Sequence, residues 1–318
     1  MRDPDRASPA RGLGLGASLT DLSWNYRLLP DSERERLLAF VEPFGCPAIY
    51  VLNALLGDGG STSRRDPSAL GETVGLERED GELHGVLWFG GRGNLVVLLG
   101  DECRQALLGP SSQELVEVTC SEIRSRRTSW RIALGPMPIL RRLADLESNP
   151  PLLLREQVYY AVEASQKELL RERVDHTETR SAERADLKKL VESALDLNEV
   201  DLNVPSWRVD RGWLRDSVRR RQQEQRTFVI GPIGKPICKL DLGSDGPAGS
   251  VIEGVYTLES ARGQGLATRL TATVADRQLR TRPRVCLHVS ATNEPARAAY
   301  ERAGLRATGT TGLLLRNT

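Results

Sequence analysis

Residues Arg262 to Gly265 lie where a predicted strand gives way to a predicted helix, a junction suited to binding an anion. The preceding segment, Val251–Leu258, is apolar and β-branched enough to form a strand. The first N–H groups of a helix have no intrahelical partner, and two glycines let the backbone approach a phosphate oxygen closely. The pattern predicts a pyrophosphate site. Apolar residues then follow at helical spacing: Leu266, Ala267, Leu270, Val274 and Ala275.

Spacing distinguishes three kinds of phosphate-binding loop. A P-loop requires Gly-x-x-x-x-Gly-Lys-Ser/Thr, which this sequence does not contain. A dinucleotide fingerprint requires Gly-x-Gly-x-x-Gly/Ala, but Thr268 occupies the last position and residues 280–288 contain no acidic residue. The remaining pattern, Arg-Gly-x-Gly-x-Ala, is the pyrophosphate loop of the GNAT superfamily of acyl-CoA-dependent N-acyltransferases. The chain resembles it at every specified position, namely Arg262, Gly263, Gln264, Gly265, Leu266 and Ala267.

A second motif follows the next predicted strand, Arg284–Val289. It resembles the second GNAT signature, Asn-x-x-Ala-x-x-x-Tyr-x-x-x-Gly-Phe, through Asn293, Ala296, Tyr300, Gly304 and, in place of Phe, Leu305. Two motifs in the expected order make residues 177–318 similar to a catalytic GNAT domain. One departure is Ser260, where the superfamily usually has Gln or Arg. Because backbone N–H groups hold the phosphates, this departure is expected to weaken the site only slightly.

The resemblance implies a co-substrate and a role for each matching residue. Acetyl-CoA would be bound by the loop from Arg262 to Thr268. The segment Val255, Tyr256 and Thr257 matches the part of the central strand that splays from its neighbour, where backbone groups bind the pantetheine arm. Gly254 would ease a bulge there. Asn293 matches a pantetheine-binding position, and Tyr300 matches the phenol that protonates the departing thiolate.

Glu253 is the candidate general base. Acyl transfer from a thioester to an amine requires a polarised carbonyl, a deprotonated amine and a stabilised thiolate. By the two-residue period of a strand, Glu253 is expected to share a face with Val255. Glu259 and Asp241 are alternative bases. A packing role for Tyr300 and a solvated position for Glu253 also stay open.

Residues 23–154 are predicted to repeat the same order of strands and helices without the glycine loop. The acidic pair Asp101-Glu102 stands where the phosphates would bind, and would repel them. This half resembles the degenerate N-terminal module of bacterial tandem GNAT proteins; an unrelated α+β lid domain is the alternative. The predicted fold is thus mixed α/β, a tandem GNAT-like fold with a mostly antiparallel twisted sheet flanked by helices in each half.

Three further segments complete the predicted organisation. Residues 1–22 are expected to be a flexible tail. Residues 155–176 are expected to be a connector following Pro150-Pro151, with a strand at Leu152–Val162 shared between the halves. The polar segment Asp196–Val204 is expected to be a loop, and the resemblance implies that it lies against the acceptor.

Composition excludes several functional classes. The chain has 44 Lys and Arg against 43 Asp and Glu, which argues against a dedicated nucleic-acid or membrane surface. No apolar run approaches the roughly 20 residues of a membrane helix. The five cysteines are scattered and lack Cys-x-x-Cys spacing, so neither a metal site nor a disulfide framework is expected. Cys286 and His288 are then expected to be ordinary strand residues. Because no disulfide framework is expected, the expected compartment is the cytoplasm.

The predicted function is acyl-CoA-dependent N-acyl transfer, with acetyl passing directly from acetyl-CoA to a primary amine of a small molecule or peptide. A non-catalytic acyl-CoA sensor or scaffold is the alternative from another class. Within enzymes, an amino-acid N-acyltransferase using a longer acyl-CoA is a further alternative, because Gly231–Leu242 is faintly similar to glycine N-acyltransferases. The sequence leaves open whether the chain is a monomer or a homodimer.

Overall fold

The computed structural model describes residues 24–57, 71–91, 93–126 and 129–317, so the predicted tail at residues 1–22 lies outside the described residues. The described strands form one twelve-stranded sheet. They are β1 (Asn25–Leu28), β2 (Glu72–Glu77), β3 (Leu83–Gly90), β4 (Asn94–Leu99), β5 (Ile132–Gly135), β6 (Leu153–Glu163), β7 (Thr179–Ser181), β8 (Thr227–Ile230), β9 (Cys238–Gly246), β10 (Gly249–Thr257), β11 (Arg284–Ser290) and β12 (Arg306–Leu315).

Helices cover both faces of this sheet. They are α1 (Arg34–Val41), α2 (Ile49–Leu56), α3 (Asp101–Ala106), α4 (Ser112–Ser125), α5 (Met137–Asp145), α6 (Leu187–Leu202), α7 (Arg211–Gln223), α8 (Leu266–Gln278) and α9 (Glu294–Arg302). Short 3₁₀ segments connect them, including Cys46–Ala48 before α2 and Ala164–Arg173 after β6. None of the helices in the described part of the chain is long and apolar enough to cross a membrane.

The strand order is β1-β2-β3-β4-β5-β12-β6-β11-β10-β9-β8-β7. Neighbours pair antiparallel except β4 with β5 and β10 with β11, which confirms a mostly antiparallel mixed sheet. The last strand, β12, joins the two halves, because it pairs with β5 on one side and β6 on the other. The sheets expected in each half are therefore one continuous sheet. The predicted connector 155–176 begins within β6, and the domain boundaries stay a proposal.

Neighbouring residues of β6 identify the two faces of the sheet. Tyr160 belongs to the same core cluster as Leu270 of α8, whereas Tyr159 belongs to the cluster that contains Ile49 of α2. Because adjacent strand residues point to opposite faces, we call these the α8 face and the α2 face. Helices α6 and α7 also lie on the α2 face, since Val229 of β8 packs against them while its neighbours belong to the α8 cluster.

Cys46 and Cys286 form a disulfide that links the segment before α2 to β11, with Cα atoms 5.9 Å apart. The expectation of no disulfide is therefore wrong. Thiols 240 positions apart in sequence cannot be paired from spacing, because the pairing depends on how the halves dock. Cys103, Cys120 and Cys238 are free and buried. Disulfides are rare in the cytoplasm, so the cysteine pattern no longer supports that compartment.

Residues Asp196–Leu202 are the last two turns of α6, not the polar loop that their composition indicates. The helix ends at Asn203, whose φ of 54° is left-handed and whose N–H bonds back to the carbonyl of Asn198. Pro205 then prevents the helix from continuing. Local polarity was a poor guide here, because α6 has one buried face and tolerates polar residues on the other.

Candidate active site

The predicted anion-binding loop connects β10 to α8 and has the backbone that its glycines allow. Gly263 and Gly265 have φ values of 79° and 72°, in the left-handed region that favours glycine. Residues 262–265 are exposed, and a Cβ added at Gly263 would meet no atom within 4 Å. The space beside Gly263 is therefore open, and the first amides of α8 point towards it without intrahelical acceptors.

Most side chains of this loop and of the first turn of α8 contact the rest of the protein. Leu266 and Thr268 are buried, and the Thr268 hydroxyl donates to the carbonyl of Ala299 at 3.2 Å. The predicted positions Leu266, Ala267 and Thr268 thus have backbone N–H groups, not polar side chains, to offer a ligand. Arg262 Nε donates to the carbonyl of Thr257 at 3.3 Å, which ties the loop back to the end of β10.

Arg269 is a cation beside this loop that sequence reasoning missed. Its Nη1 donates to the carbonyl of Gln264 at 3.0 Å, and it lies 3.6 Å from the position of a Cβ at Gly265. Its guanidinium also contacts Glu178 at 3.1 Å. The available signal was its position one helical turn after Gly265, which places it over the first turn of α8.

β10 and β11 separate shortly after they meet. They pair only through Ser250 with Val285 and Val251 with Cys286, although both strands continue well beyond these pairs. Gly254, with φ of 57°, lies at a register shift between β10 and β9, as expected for a bulge. The strands therefore open a gap through the sheet, and the backbone edge of β10 around Val255 faces that gap.

The bulge also changes which residues share a face. Val255 packs against the α8-face core, together with Ile252, whereas the Glu253 side chain contacts Tyr50 of α2. The expectation that Glu253 and Val255 share a face is therefore wrong, because the extra residue at Gly254 interrupts the two-residue period.

The side chains of Tyr256 and Thr257 point away from each other. The Tyr256 hydroxyl donates to Asp196 of α6 at 3.0 Å. Thr257 lies on the α8-face side, with its hydroxyl 3.2 Å from the thiol of Cys238. As with Val255, what these two residues present to the gap is backbone.

Tyr300 lies on α9 with 7% of its surface exposed, and its ring centroid is 6.1 Å from that of Tyr160. Burial, with smaller contributions from Asp201 and Cys238, raises the pKa of Tyr300 well above its ordinary value. The phenol is therefore protonated at neutral pH and able to donate.

Asn293 caps α9. Its Oδ1 accepts a hydrogen bond from the N–H of Ala296 at 3.2 Å, and Pro295 occupies the first turn. This capping role uses the carbonyl oxygen of the side chain, and the predicted binding of pantetheine would use its Nδ2 group.

Glu253 lies on the α2 face, where its Oε1 accepts a hydrogen bond from the Tyr50 hydroxyl at 2.6 Å. Its carboxylate lies directly above Gly243, since a Cβ there would be 1.9 Å from Glu253 Cδ. His288 of β11 faces the same region, and burial holds the pKa of His288 below its ordinary value. Tyr50 was not found from the sequence, because 203 positions separate it from Glu253.

The alternative base Asp241 is occupied by structural contacts. It is 4% exposed and bonds to Lys239 at 2.6 Å and to the Thr227 hydroxyl at 2.6 Å. Burial alone would raise the pKa of Asp241, but Lys239, Arg221 and these hydrogen bonds hold it below its ordinary value. The other alternative, Glu259, is exposed in a 3₁₀ turn before the loop.

The corresponding junction of the N-terminal half, between β4 and α3, is closed. Gly100 has an ordinary φ of −63°, and Glu102 pairs with Arg78 at 2.9 Å and with His84 at 3.3 Å. β4 and β5 also stay close, because a Cβ at Gly135 would lie 2.7 Å from the Val97 side chain. The loop at this junction is therefore not open, and β4 and β5 stay in contact just beyond their last paired residues, Val96 and Leu134. Among the residues that the structure describes, no cluster of His, Cys, Asp or Glu is suited to a metal ion.

Comparison with known proteins connects this geometry to a family. Residues 246–312, which include β10, the glycine loop, α8, β11 and α9, match the family model described as FR47-like protein. No curated protein matches the sequence significantly.

Solved structures extend the likeness over both halves. A Drosophila protein is 14% identical with a TM-score of 0.58, over 91% of this chain and 98% of that one. A GCN5-related N-acetyltransferase from Sphaerobacter thermophilus is 14% identical with a TM-score of 0.54, over 92% of this chain and 94% of that one. An acetyltransferase of the GNAT family from Colwellia psychrerythraea is 14% identical with a TM-score of 0.51, over 92% and 100%.

At 14% identity, the similarity to these solved structures shows the fold of the chain. The family model covers the segment that contains both predicted motifs. The recognition made from those two motifs is confirmed in the fold: the chain has the fold of these GNAT acetyltransferase structures, and its residues 246–312 match the FR47-like family model.

Proposed function

We propose that the protein is an acetyl-CoA-dependent N-acetyltransferase that acts on a primary amine by direct attack in a ternary complex. The observation that carries the proposal is the gap between β10 and β11, which connects the two faces of the sheet beside an open glycine loop. Tyr300 lies on the α8 face of the sheet and Glu253 on the α2 face. A thioester held in the gap would thus have a proton donor on one side and a base on the other.

The loop from Arg262 to Thr268 would hold the pyrophosphate through its backbone N–H groups, with Arg269 as a nearby cation. The backbone of Val255, Tyr256 and Thr257, together with Asn293 Nδ2, would bind the pantetheine arm. Binding of this kind positions the reacting carbonyl and replaces water with fixed dipoles, the main contributions that proximity and electrostatics make to acyl transfer.

The chemical step uses two proton transfers. The amine nitrogen forms a bond to the carbonyl carbon while the carbon–sulfur bond breaks. Glu253 accepts the proton that the nitrogen loses, and the Tyr300 hydroxyl donates a proton to the departing sulfur, to be replaced from solvent. Asp241 is excluded from the role of base in this proposal, since Lys239 and Thr227 occupy its oxygens.

The acceptor is proposed to be a small molecule or a peptide that reaches Glu253 from the α2 face. The closed junction at Gly100 supports a single co-substrate site per chain, with the N-terminal half shaping the acceptor side. The expected cytoplasmic location is not part of this proposal, because the Cys46–Cys286 disulfide removes its main support.

Release of thiol from acetyl-CoA in the presence of a panel of primary amines tests the proposal. We expect amine-dependent release by the wild-type protein and a loss of at least about tenfold in Glu253→Gln, with the low-pH limb of the rate profile flattened. Tight binding of acetyl-CoA without thiol release for any amine would instead indicate a binding protein, if longer acyl-CoA thioesters with amino-acid acceptors release no thiol either.

A further inference from the structure

Helix α2 of the N-terminal half and the 3₁₀ turn before it present three residues to the C-terminal half. Cys46, Tyr50 and Asn53 are spaced at i, i+4 and i+7, so they lie along one side of the helix and its preceding turn. Cys46 is bonded to Cys286 of β11, and Tyr50 donates to Glu253 of β10. We call these three residues the α2 clamp.

Asn53 provides the third contact of the α2 clamp. Its Nδ2 donates to the carbonyl of Gly249 and to the Ser244 hydroxyl, both at 2.9 Å, and its Oδ1 accepts from the N–H of Ala248 at 3.0 Å. Asn53 is 2% exposed, so these bonds are shielded from water. They hold α2 against the turn between β9 and β10, at the start of the strand that carries Glu253.

The other side of α2 belongs to the N-terminal core. Val51 and Leu52 are buried in a cluster with Val86, Val96 and Leu98 of β3 and β4. The position of α2 is thus determined by one half of the chain, while the α2 clamp contacts β10 and β11 of the other half. A side chain of the N-terminal half therefore reaches the candidate base.

The Tyr50 hydroxyl can act only as a donor to Glu253. Burial, and then the Glu253 charge, raise the pKa of Tyr50 well above its ordinary value, so the phenol keeps its proton. A hydrogen bond from a neutral donor favours the ionised carboxylate. It also holds Oε1 in place, leaving Oε2 to receive a proton.

Other titratable groups face Glu253 from the neighbouring elements. They are Asp241 and Lys239 of β9, His288 of β11, Tyr159 of β6 and Arg221 of α7. Lys239 and Asp241 are bonded to each other, and Arg221 lies 3.5 Å from Asp241. The lowered pKa of His288 leaves it neutral at neutral pH. The hydrogen bond that Glu253 accepts from a side chain comes from Tyr50, not from any of these groups.

We propose that Tyr50 is a positioning residue for Glu253, so that the active site is completed by helix α2 of the N-terminal half. This inference rests on the proposed function, in which Glu253 is the base. The α2 clamp keeps the Tyr50 hydroxyl and the Glu253 carboxylate in register, and the disulfide and Asn53 fix the helix on either side of that contact.

Tyr50→Phe removes the hydroxyl and keeps the ring. We expect kcat to fall by about tenfold, the affinity for acetyl-CoA to stay unchanged, and the low-pH limb of the rate profile to move to higher pH. Tyr159→Phe, a second buried tyrosine on the α2 face, is the matched control and should leave that limb in place. If Tyr50 had only a structural role, Tyr50→Phe would lower the melting temperature without moving the low-pH limb of the rate profile.

The double variant Tyr50→Phe/Glu253→Gln separates positioning from independent effects. If Tyr50 acts through Glu253, the double variant has the rate of Glu253→Gln alone; an additive loss overturns the proposal. A Glu253→Gln variant with the wild-type rate overturns it as well, because Tyr50 would have no base to position.

A readout independent of turnover distinguishes the two proposals. Carbon-13 NMR of the Glu253 carboxyl, assigned with Glu253→Gln, should show a different chemical shift in Tyr50→Phe than in the wild type at the same pH, because the hydrogen bond from Tyr50 is lost. That shift in a protein without transferase activity would support the contact while refuting the proposed function. An unchanged chemical shift of the Glu253 carboxyl in an active Tyr50→Phe enzyme would refute the role of Tyr50 alone.

Discussion

Tyr300 and Glu253 lie on opposite faces of the sheet, on either side of the gap where β10 and β11 separate. A strand pair that stayed hydrogen-bonded would keep these groups apart behind a closed backbone. The bulge at Gly254 and the two-residue pairing of β10 with β11 make the gap, and in the proposed function the gap would expose Tyr300 as acid and Glu253 as base to one ligand. Substitutions on each side of the sheet therefore test separate parts of the proposal.

The glycine loop is tested by Gly263→Glu. We expect the affinity for acetyl-CoA to fall at least about 100-fold, because the new side chain places negative charge in the space proposed for the phosphates and because φ of 79° disfavours any Cβ. Gly81→Glu is a matched control, with φ of 75° and open space in a turn of the N-terminal half. Titration calorimetry should give one site per chain in the wild type. Unchanged affinity in Gly263→Glu, or two sites per chain, would refute the assignment.

The proton donor is tested by Tyr300→Phe, which keeps the buried ring and removes the proton. General acid catalysis typically contributes on the order of 10²–10⁴-fold. We expect kcat to fall at least about tenfold with little change in the affinity for acetyl-CoA, since the interaction is made chiefly in the transition state. Tyr160→Phe is the control, because its ring neighbours Tyr300 while its hydroxyl bonds to Glu301. A wild-type kcat in Tyr300→Phe would leave Tyr300 with packing alone.

The disulfide is tested by peptide mapping without reductant. We expect a cross-linked pair of peptides containing Cys46 and Cys286, and three alkylated thiols at Cys103, Cys120 and Cys238. Reduction should lower the free energy of unfolding by about 2–5 kcal/mol, as is typical when a native disulfide is lost. Cys103→Ser, at a free buried cysteine, is the control for thiol removal. Recovery of five alkylated cysteines after oxidative refolding would contradict the pairing.

The buried pair of Lys239 and Asp241 is tested by stability against pH. Because the pKa of Asp241 is lower in the folded state than in the unfolded chain, its ionisation stabilises the fold above the unfolded value of about 4, and this contribution is lost as pH falls through the folded value. Denaturation with urea should therefore show the difference between wild type and Asp241→Asn shrinking as pH falls below about 4.

The same pair predicts a large effect at neutral pH. Lys239→Met removes the nearer and buried cation of a carboxylate that is 4% exposed, leaving only Arg221 at 3.5 Å, and we expect a loss of about 3 kcal/mol in the free energy of unfolding. Arg104→Ala breaks an exposed ion pair with Asp101 and should cost less than about 1 kcal/mol. Equal effects of the two substitutions would show that the Lys239–Asp241 pair is not buried in solution.

Local patterns in the sequence determined the elements around the glycine loop. The apolar strand before Arg262, the glycines that need positive φ, and the capping Asn293 with Pro295 each act within a few residues of themselves, so their conformations follow from nearby chemistry. The order of strands and helices in the N-terminal half, and the acidic pair Asp101-Glu102 in place of a glycine loop, were derived in the same way.

Tertiary structure alone decided the other contacts of the site. Tyr50 meets Glu253 across 203 positions, Cys46 meets Cys286 across 240, and β12 returns to join the two halves into one sheet. No periodicity encodes such pairs, because they depend on how α2 docks against β10 and β11. The bulge at Gly254 likewise determined the face of the sheet on which the Val255 side chain lies. A side-chain period holds only while the strand keeps its register, and the register depends on the neighbouring strand.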